Sequence, residues 1–218
     1  MIVLIDLFGT LVDEDSDRRA HELIAKRIAT QHGFPEAWTT LLQMYREALS
    51  LYEDSNRALY EAYRRFVNVN GLEPLYTLEE LTWLHVWSHI EESKLYSDAL
   101  PFLKRVSTRY RVVVVSDTIE DVARGIIRYH GLQQYIHAVI ATHSYGLSKP
   151  DPKILSVVRS VLGIEIDSVV VIGDSVRDYE LAKNIGARFV AVARDRDREE
   201  RFRSLGVEVV SSLEEIEL

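Results

Sequence analysis

A small set of side chains in this sequence, most of them where apolar runs give way to polar residues, could together do chemistry. IVLI is followed by Asp6, and Thr10 lies four residues further on. VVVV is followed by Ser116, Asp117 and Thr118; SKPDP carries Lys149; VVVI is followed by GDSVRD, with Asp174 and Asp178. If the four segments converge, three carboxylates, hydroxyls and one ammonium meet at a single rim. The chain has no Cys, which removes thiol catalysis, thiolate metal sites and disulfides from consideration.

The elements that would position these residues can be read from periodicity. Residues 2–6, 112–116, 137–141, 168–172 and 188–193 are short, β-branched apolar runs of the kind that form buried parallel strands. Helical stretches fall between them, near 119–130, 152–162 and 176–185. Strands alternating with helices call for a doubly wound α/β sheet with right-handed crossovers. In such sheets ligands bind beyond the carboxyl ends of the strands, near the switch in strand order, which is where these polar residues stand.

Between the first strand and the second the pattern changes. From Asp15 to about Ser93 apolar residues recur at three- and four-residue intervals without β-branched runs, as in HELIAKRIATQHG, WTTLLQMYREALSLYE, RALYEAYRRFVNVNG and TLEELTWLHVWSHIEE. Thr77 and Glu80 form a capping-box signature before the last of these. The sequence therefore predicts an α/β core made of 1–14 and 95–218, with an all-helical domain, 15–94, inserted into it.

Read together, IVLIDLFGTLVD, VVVVSDT, SKPDP and VVVIGDSVRDYELAKNIGA resemble the haloacid dehalogenase superfamily, most of whose members are phosphatases. The inserted helices are similar to that superfamily's cap in position and class. The resemblance implies that Asp6 is a nucleophile forming an aspartyl phosphate, which a carboxylate can do only when the attacked group's charge is screened. It implies Mg2+ held by Asp6, the backbone carbonyl of Phe8, Asp174 and Asp178. Thr10, Ser116 and Asp117 would serve the phosphate, and Lys149 would neutralise charge that builds up in the transition state. The implied partner is a small phosphorylated substrate, with cap and loop residues selecting it.

Phe8 departs from this pattern. Phosphatases of the superfamily usually carry there a second Asp that acts as general acid and base. The 2-haloacid dehalogenases, which need no metal, have an aromatic residue at that position. Their last motif, however, resembles Ser-Ser-Asn followed by Asp, whereas here Gly173, Asp174 and Ser175 precede Asp178. They also place Tyr where this chain has Leu155. Because two carboxylates without a cation would repel one another, Asp174 favours the metal-dependent branch. A catalytically weak domain that only binds a metal or ligand is the third reading.

Each residue also has a plain structural role open to it. Ser116, Asp117 and Thr118 could cap the next helix, Asp151 and Pro152 could start another, and Ser175 with Asp178 could form a capping box. His85 and His89 are spaced so that both could face one zinc ion, but WLHVWSHIEE lacks the glutamate of HExxH, and ordinary packing is the preferred reading. Trp83, Trp87, Tyr45, Tyr52, Tyr60 and Tyr63 are read as packing of the helical domain, Arg18 and Arg19 as a solvated pair, and ARDRDREERFRS (193–204) as a solvated helix face. The net charge of −8 argues against nonspecific nucleic-acid binding. The N-terminal apolar run lacks a basic leader and no stretch reaches membrane-span length, so a cytoplasmic protein is expected. Nothing in the sequence chooses between monomer and homodimer.

Overall fold

The computed structural model describes residues 1–52 and 54–218. They separate into two compact units, Met1–Glu14 with Lys94–Leu218, and Asp15–Ser93.

The first unit is built on six parallel strands: β1 (Ile2–Ile5), β2 (Arg111–Ser116), β3 (Ala138–Ala141), β4 (Val169–Gly173), β5 (Arg188–Val192) and β6 (Glu208–Val210), in the order β3-β2-β1-β4-β5-β6. β1 is central and buried along its whole length, which is why IVLI carries no polar residue. The chain leaves β1 in both sheet directions, so the switch point lies at its carboxyl end, where Asp6 follows.

Side chains alternate across the sheet. Ile2, Leu4, Val113, Val115, Ile140, Val171 and Ala191 fill one face, packed against Ile154, Val158, Leu181, Ala182 and Phe202. These last lie on the helices α7 (Lys153–Leu162), α8 (Val176–Asn184) and α9 (Arg196–Ser204). Each large apolar side chain so buried contributes about 1.5–3 kcal/mol. α5 (Ala99–Ser107) packs on β2, and α6 (Glu120–Tyr129) on β3. α5 and β6 were not anticipated from sequence.

The second unit contains α1 (Asp15–Gln31), α2 (Trp38–Leu49), α3 (Ser55–Asn70) and α4 (Leu78–Glu92) around Ile24, Ile28, Leu41, Tyr45, Leu59, Tyr63, Phe66 and Leu81. The Thr77–Glu80 capping box opens α4. Tyr63 ties the α3–α4 connection down, its hydroxyl accepting from the backbone N–H of Leu75 at 2.6 Å and of Tyr76 at 3.1 Å. The two tryptophans depart from the expected packing: Trp83 and Trp87 are more than half exposed, because one turn of α4 separates them on a face that the unit's core does not cover. Among the described residues no helix is long and apolar enough to cross a membrane.

Candidate active site

Asp6, the residue after β1, is buried. The turn after it is closed by main-chain bonds: Leu11 and Val12 N–H donate to the Leu7 carbonyl, and Gly9 N–H donates to that of Val12 at 2.7 Å. Gly9 has φ 84°, and a Cβ there would run into the Asp174 carboxylate. Only glycine suits both the conformation and the close approach. Gly173, at the end of β4, is likewise hemmed in, because a Cβ would strike the carboxylate of Asp178.

Lys149 links two of the three carboxylates. Its Nζ donates to Asp6 Oδ1 at 2.6 Å and to Asp178 Oδ1 at 2.7 Å, all three side chains being buried. The other oxygen of Asp178 accepts from Ser175 N–H at 3.1 Å and from Ser175 Oγ at 2.5 Å. Ser175 and Asp178 thus form the capping box of α8 while Asp178 also holds the lysine. Oxygens of Asp6, Asp174 and Asp178 lie within 4.8 Å of one another. Thr10 Oγ1 donates to Asp174 Oδ1 at 3.4 Å.

This crowding shows in the acidities. Burial pushes the Asp6 carboxyl well above the ordinary range; Lys149 opposes the rise, and the Asp178 and Asp174 charges add to it. Burial, then the Asp178 charge, pushes Asp174 up to about 6 against the pull of Arg198 and Lys149. Lys149 stays charged because its two carboxylates outweigh the cost of its burial.

Ser116 ends β2 at the same edge, since Ile5 pairs with Val114 in the β1–β2 register. Asp117 points elsewhere: its Oδ1 accepts from Thr142 Oγ1 at 2.5 Å and from the Lys149 backbone N–H at 3.0 Å, and its Oδ2 pairs with Arg177 at 3.0 Å. It anchors the loop that delivers Lys149. The residue that caps α6 is Ile119, so neither Asp117 nor Thr118 supplies a side-chain cap, and the first-turn N–H groups of α6 carry none. Asp151 accepts from the backbone N–H of Lys153 at 2.8 Å, with Pro152 in the cap position of α7.

Two arginines correct the reading of 193–204 as a solvated face. Arg198 donates to Asp174 Oδ2 at 2.9 Å and also pairs with Glu14. Arg194 makes a two-pronged pair with Asp98 at 2.6 and 3.0 Å and donates to the carbonyl of Thr10 at 3.0 Å, over the ring of Tyr96. Asp98 accepts further bonds from Ser212 Oγ and Leu213 N–H, so one ion pair ties the Thr10 turn to the C-terminal segment. The arginine spacing was visible in the sequence, but nothing there indicated which side meets the sheet rim.

A parallel sheet with carboxylates and a lysine gathered at its switch point defines an α/β protein with the kind of site that the four motifs resemble. A family model described as haloacid dehalogenase-like hydrolase matches residues 1–186, and the chain belongs to that family. It is 24% identical over 192 residues to a phosphoglycolate phosphatase of Aquifex aeolicus, covering 86% of this chain and 82% of that one. It is 23% identical over 198 residues to the pyrophosphatase PpaX of Listeria monocytogenes, covering 88% and 82%. Among solved structures, the L-2-haloacid dehalogenase of Xanthobacter autotrophicus superposes with a TM-score of 0.64 at 22% identity, over 98% of this chain and 96% of that one. CbbY from Rhodobacter sphaeroides, in complex with phosphate, superposes with a TM-score of 0.63 at 17% identity, over 99% and 96%. At these identities the superpositions establish the fold.

Proposed function

We propose that this hydrolase is a magnesium-dependent phosphatase that works through an aspartyl phosphate on Asp6. The observation that carries the reading is the cluster of Asp6, Asp174 and Asp178 around Lys149. Three carboxylates face two cations, Lys149 and Arg198, so negative charge is in excess. An all-oxygen donor set with excess negative charge fits a hard divalent ion. Asp6, Asp174, Asp178 and the Phe8 carbonyl would hold it, and bound there it would draw charge off the phosphoryl group being transferred.

Lys149 fixes Asp6 Oδ1 and so leaves Oδ2 to attack phosphorus. A bond forms between Oδ2 and phosphorus while the bond from phosphorus to the leaving oxygen breaks. Water then attacks phosphorus, which releases inorganic phosphate and restores the carboxylate. Thr10 and Ser116 hold phosphate oxygens, and Lys149 compensates the charge that gathers on them. Phe8 cannot protonate a leaving oxygen. Turnover therefore favours small substrates whose leaving group departs as an anion, such as phosphoanhydrides and acyl phosphates, in keeping with the pyrophosphatase among the relatives.

The test is hydrolysis of p-nitrophenyl phosphate and of pyrophosphate with magnesium and with EDTA, beside an Asp6→Asn variant. Release of phosphate that needs both magnesium and Asp6 supports the reading. The aromatic residue at position 8 favours one rival, dehalogenation. Metal-independent halide release from a 2-haloacid, without phosphatase activity, would replace the proposal with that rival. Magnesium binding without turnover on either class would leave a binding domain.

A further inference from the structure

Three imidazoles and a carboxylate meet inside the helical unit, in a cluster that the hydrolytic chemistry does not use. Asp17 and His21 are one turn apart on α1, and His85 and His89 are one turn apart on α4. Ring centroids lie 4.4 Å apart for His85 and His89, 5.0 Å for His21 and His89, and 6.1 Å for His21 and His85. One ring nitrogen of each histidine lies within 4.8 Å of the other two.

Hydrogen bonding locates the lone pairs. A carbonyl can only accept, so His89 Nδ1, 2.9 Å from the backbone oxygen of His85, is the donor of that bond. In the neutral imidazole this leaves a lone pair on Nε2, which faces Asp17 Oδ1 at 3.2 Å. Two acceptors at that distance call for a proton or a metal cation between them. His85 Nε2 lies 3.2 Å from Tyr45 Oη, and its Nδ1 is buried without a hydrogen-bond partner. When Nε2–H donates to Tyr45, Nδ1 carries a bare lone pair in a buried position. His21 Nδ1 is 3.7 Å from the second oxygen of Asp17.

We propose that His21, His85 and His89, with the Asp17 carboxylate completing the set, bind a divalent transition-metal ion of the zinc class between α1 and α4. A tetrahedral site with metal–nitrogen bonds of about 2.0–2.1 Å places its nitrogens about 3.4 Å apart, so side-chain adjustments at the ångström scale close the present arrangement. The His89 N–H bond to a backbone carbonyl is the support that ligating imidazoles ordinarily have. Nitrogen donors here and oxygen donors in the sheet unit would sort a borderline ion from a hard one. The bound ion would join α1 to α4 and stabilise the helical unit; it does not depend on the phosphatase assignment.

The experiment titrates zinc chloride into chelator-treated, dialysed whole protein by calorimetry, and cobalt chloride by visible absorption, with the thermal midpoint followed by circular dichroism. The expected result is one zinc per chain at the cluster, a raised midpoint and the intense visible bands of tetrahedral cobalt. His21→Gln should weaken zinc binding at least tenfold, while Asp174→Asn leaves it unchanged. Asp17→Asn, on a half-exposed side chain, should also weaken binding and serves if His21→Gln does not fold in EDTA. The proposal is overturned if folded wild-type protein takes up no zinc, if uptake persists undiminished in these variants, or if Asp174→Asn abolishes it.

Discussion

Replacing Lys149 with Met keeps most of the side chain's volume and removes only its charge, which makes it the sharpest probe of the acidic rim. The lysine Nζ sits 2.6 Å and 2.7 Å from two buried carboxylates, with Asp174 close behind. At an effective dielectric of about 20, each contact has a gross Coulomb attraction of about 6 kcal/mol, most of it offset by desolvation. Removing one partner of a buried pair costs about 3–5 kcal/mol, because the abandoned charge stays in place. With two carboxylates abandoned, the loss should fall in the upper part of that range. For a chain of this size that is a drop in thermal midpoint of roughly 8–20 °C.

The loss should also depend on pH in a definite direction. Asp6 already holds its proton more tightly in the folded protein than an ordinary Asp, and removing Lys149 strengthens this. The folded variant then binds more protons than its unfolded chain above the ordinary Asp value of about 3.9, so its stability rises as pH falls. Melting curves of both proteins in EDTA, from about pH 8 down to about pH 5.5, should show the gap narrowing. A loss below about 1 kcal/mol, the level of an exposed pair, or a gap that does not narrow, refutes the geometry from which this is argued.

Three further outcomes follow from other parts of the sheet unit. Phe8→Asp should raise turnover on alkyl phosphates by up to roughly 100-fold while changing p-nitrophenyl phosphate less, since only the former need a proton on the leaving oxygen; equal or lower rates on both would contradict the role given to Phe8. Gly9→Ala should cost about 1–3 kcal/mol of backbone strain and, by displacing the Asp174 carboxylate, weaken magnesium binding, as read by melting and by magnesium titration. Burial alone would raise the Asp98 pKa, but Arg194 and the bonds from Leu213 and Ser212 outweigh it and lower it. The stability this lends is therefore full above the ordinary Asp value of about 3.9 and lost as pH falls below it. Denaturant unfolding of Asp98→Asn against wild type should show a difference of about 1.5–3 kcal/mol at neutral pH that shrinks only below that value.

Much of the sheet could be read directly, because a strand buried on both faces must be an apolar run, and five such runs stand in the sequence. β6 escaped notice because it is a three-residue edge strand that begins on an exposed glutamate. The rim residues were legible as a set: Asp6, Ser116 and Asp174 close or follow a strand, Asp178 lies in the first turn of the helix after β4, and Lys149 lies in the loop between β3 and α7. Arg194 and Arg198 were not, because an alternating run of charges reads the same whether it faces water or a buried carboxylate. The histidine cluster was half visible: His85 and His89 share one helix, but only the packing of α1 against α4 brings in His21 and Asp17. Nor did the motif show that the Asp117 carboxylate is taken up by Thr142, the Lys149 N–H and Arg177.

The central claim is that Asp6 carries the phosphoryl group between substrate and water. Acid quenching of the enzyme during turnover of pyrophosphate with magnesium, followed by mass spectrometry of the N-terminal peptide, tests it most directly. The account predicts a phosphoryl adduct on Asp6 that is absent in Asp6→Asn and absent when EDTA replaces magnesium. Steady phosphate release by wild-type protein with no adduct at Asp6, or undiminished release by Asp6→Asn, would contradict it.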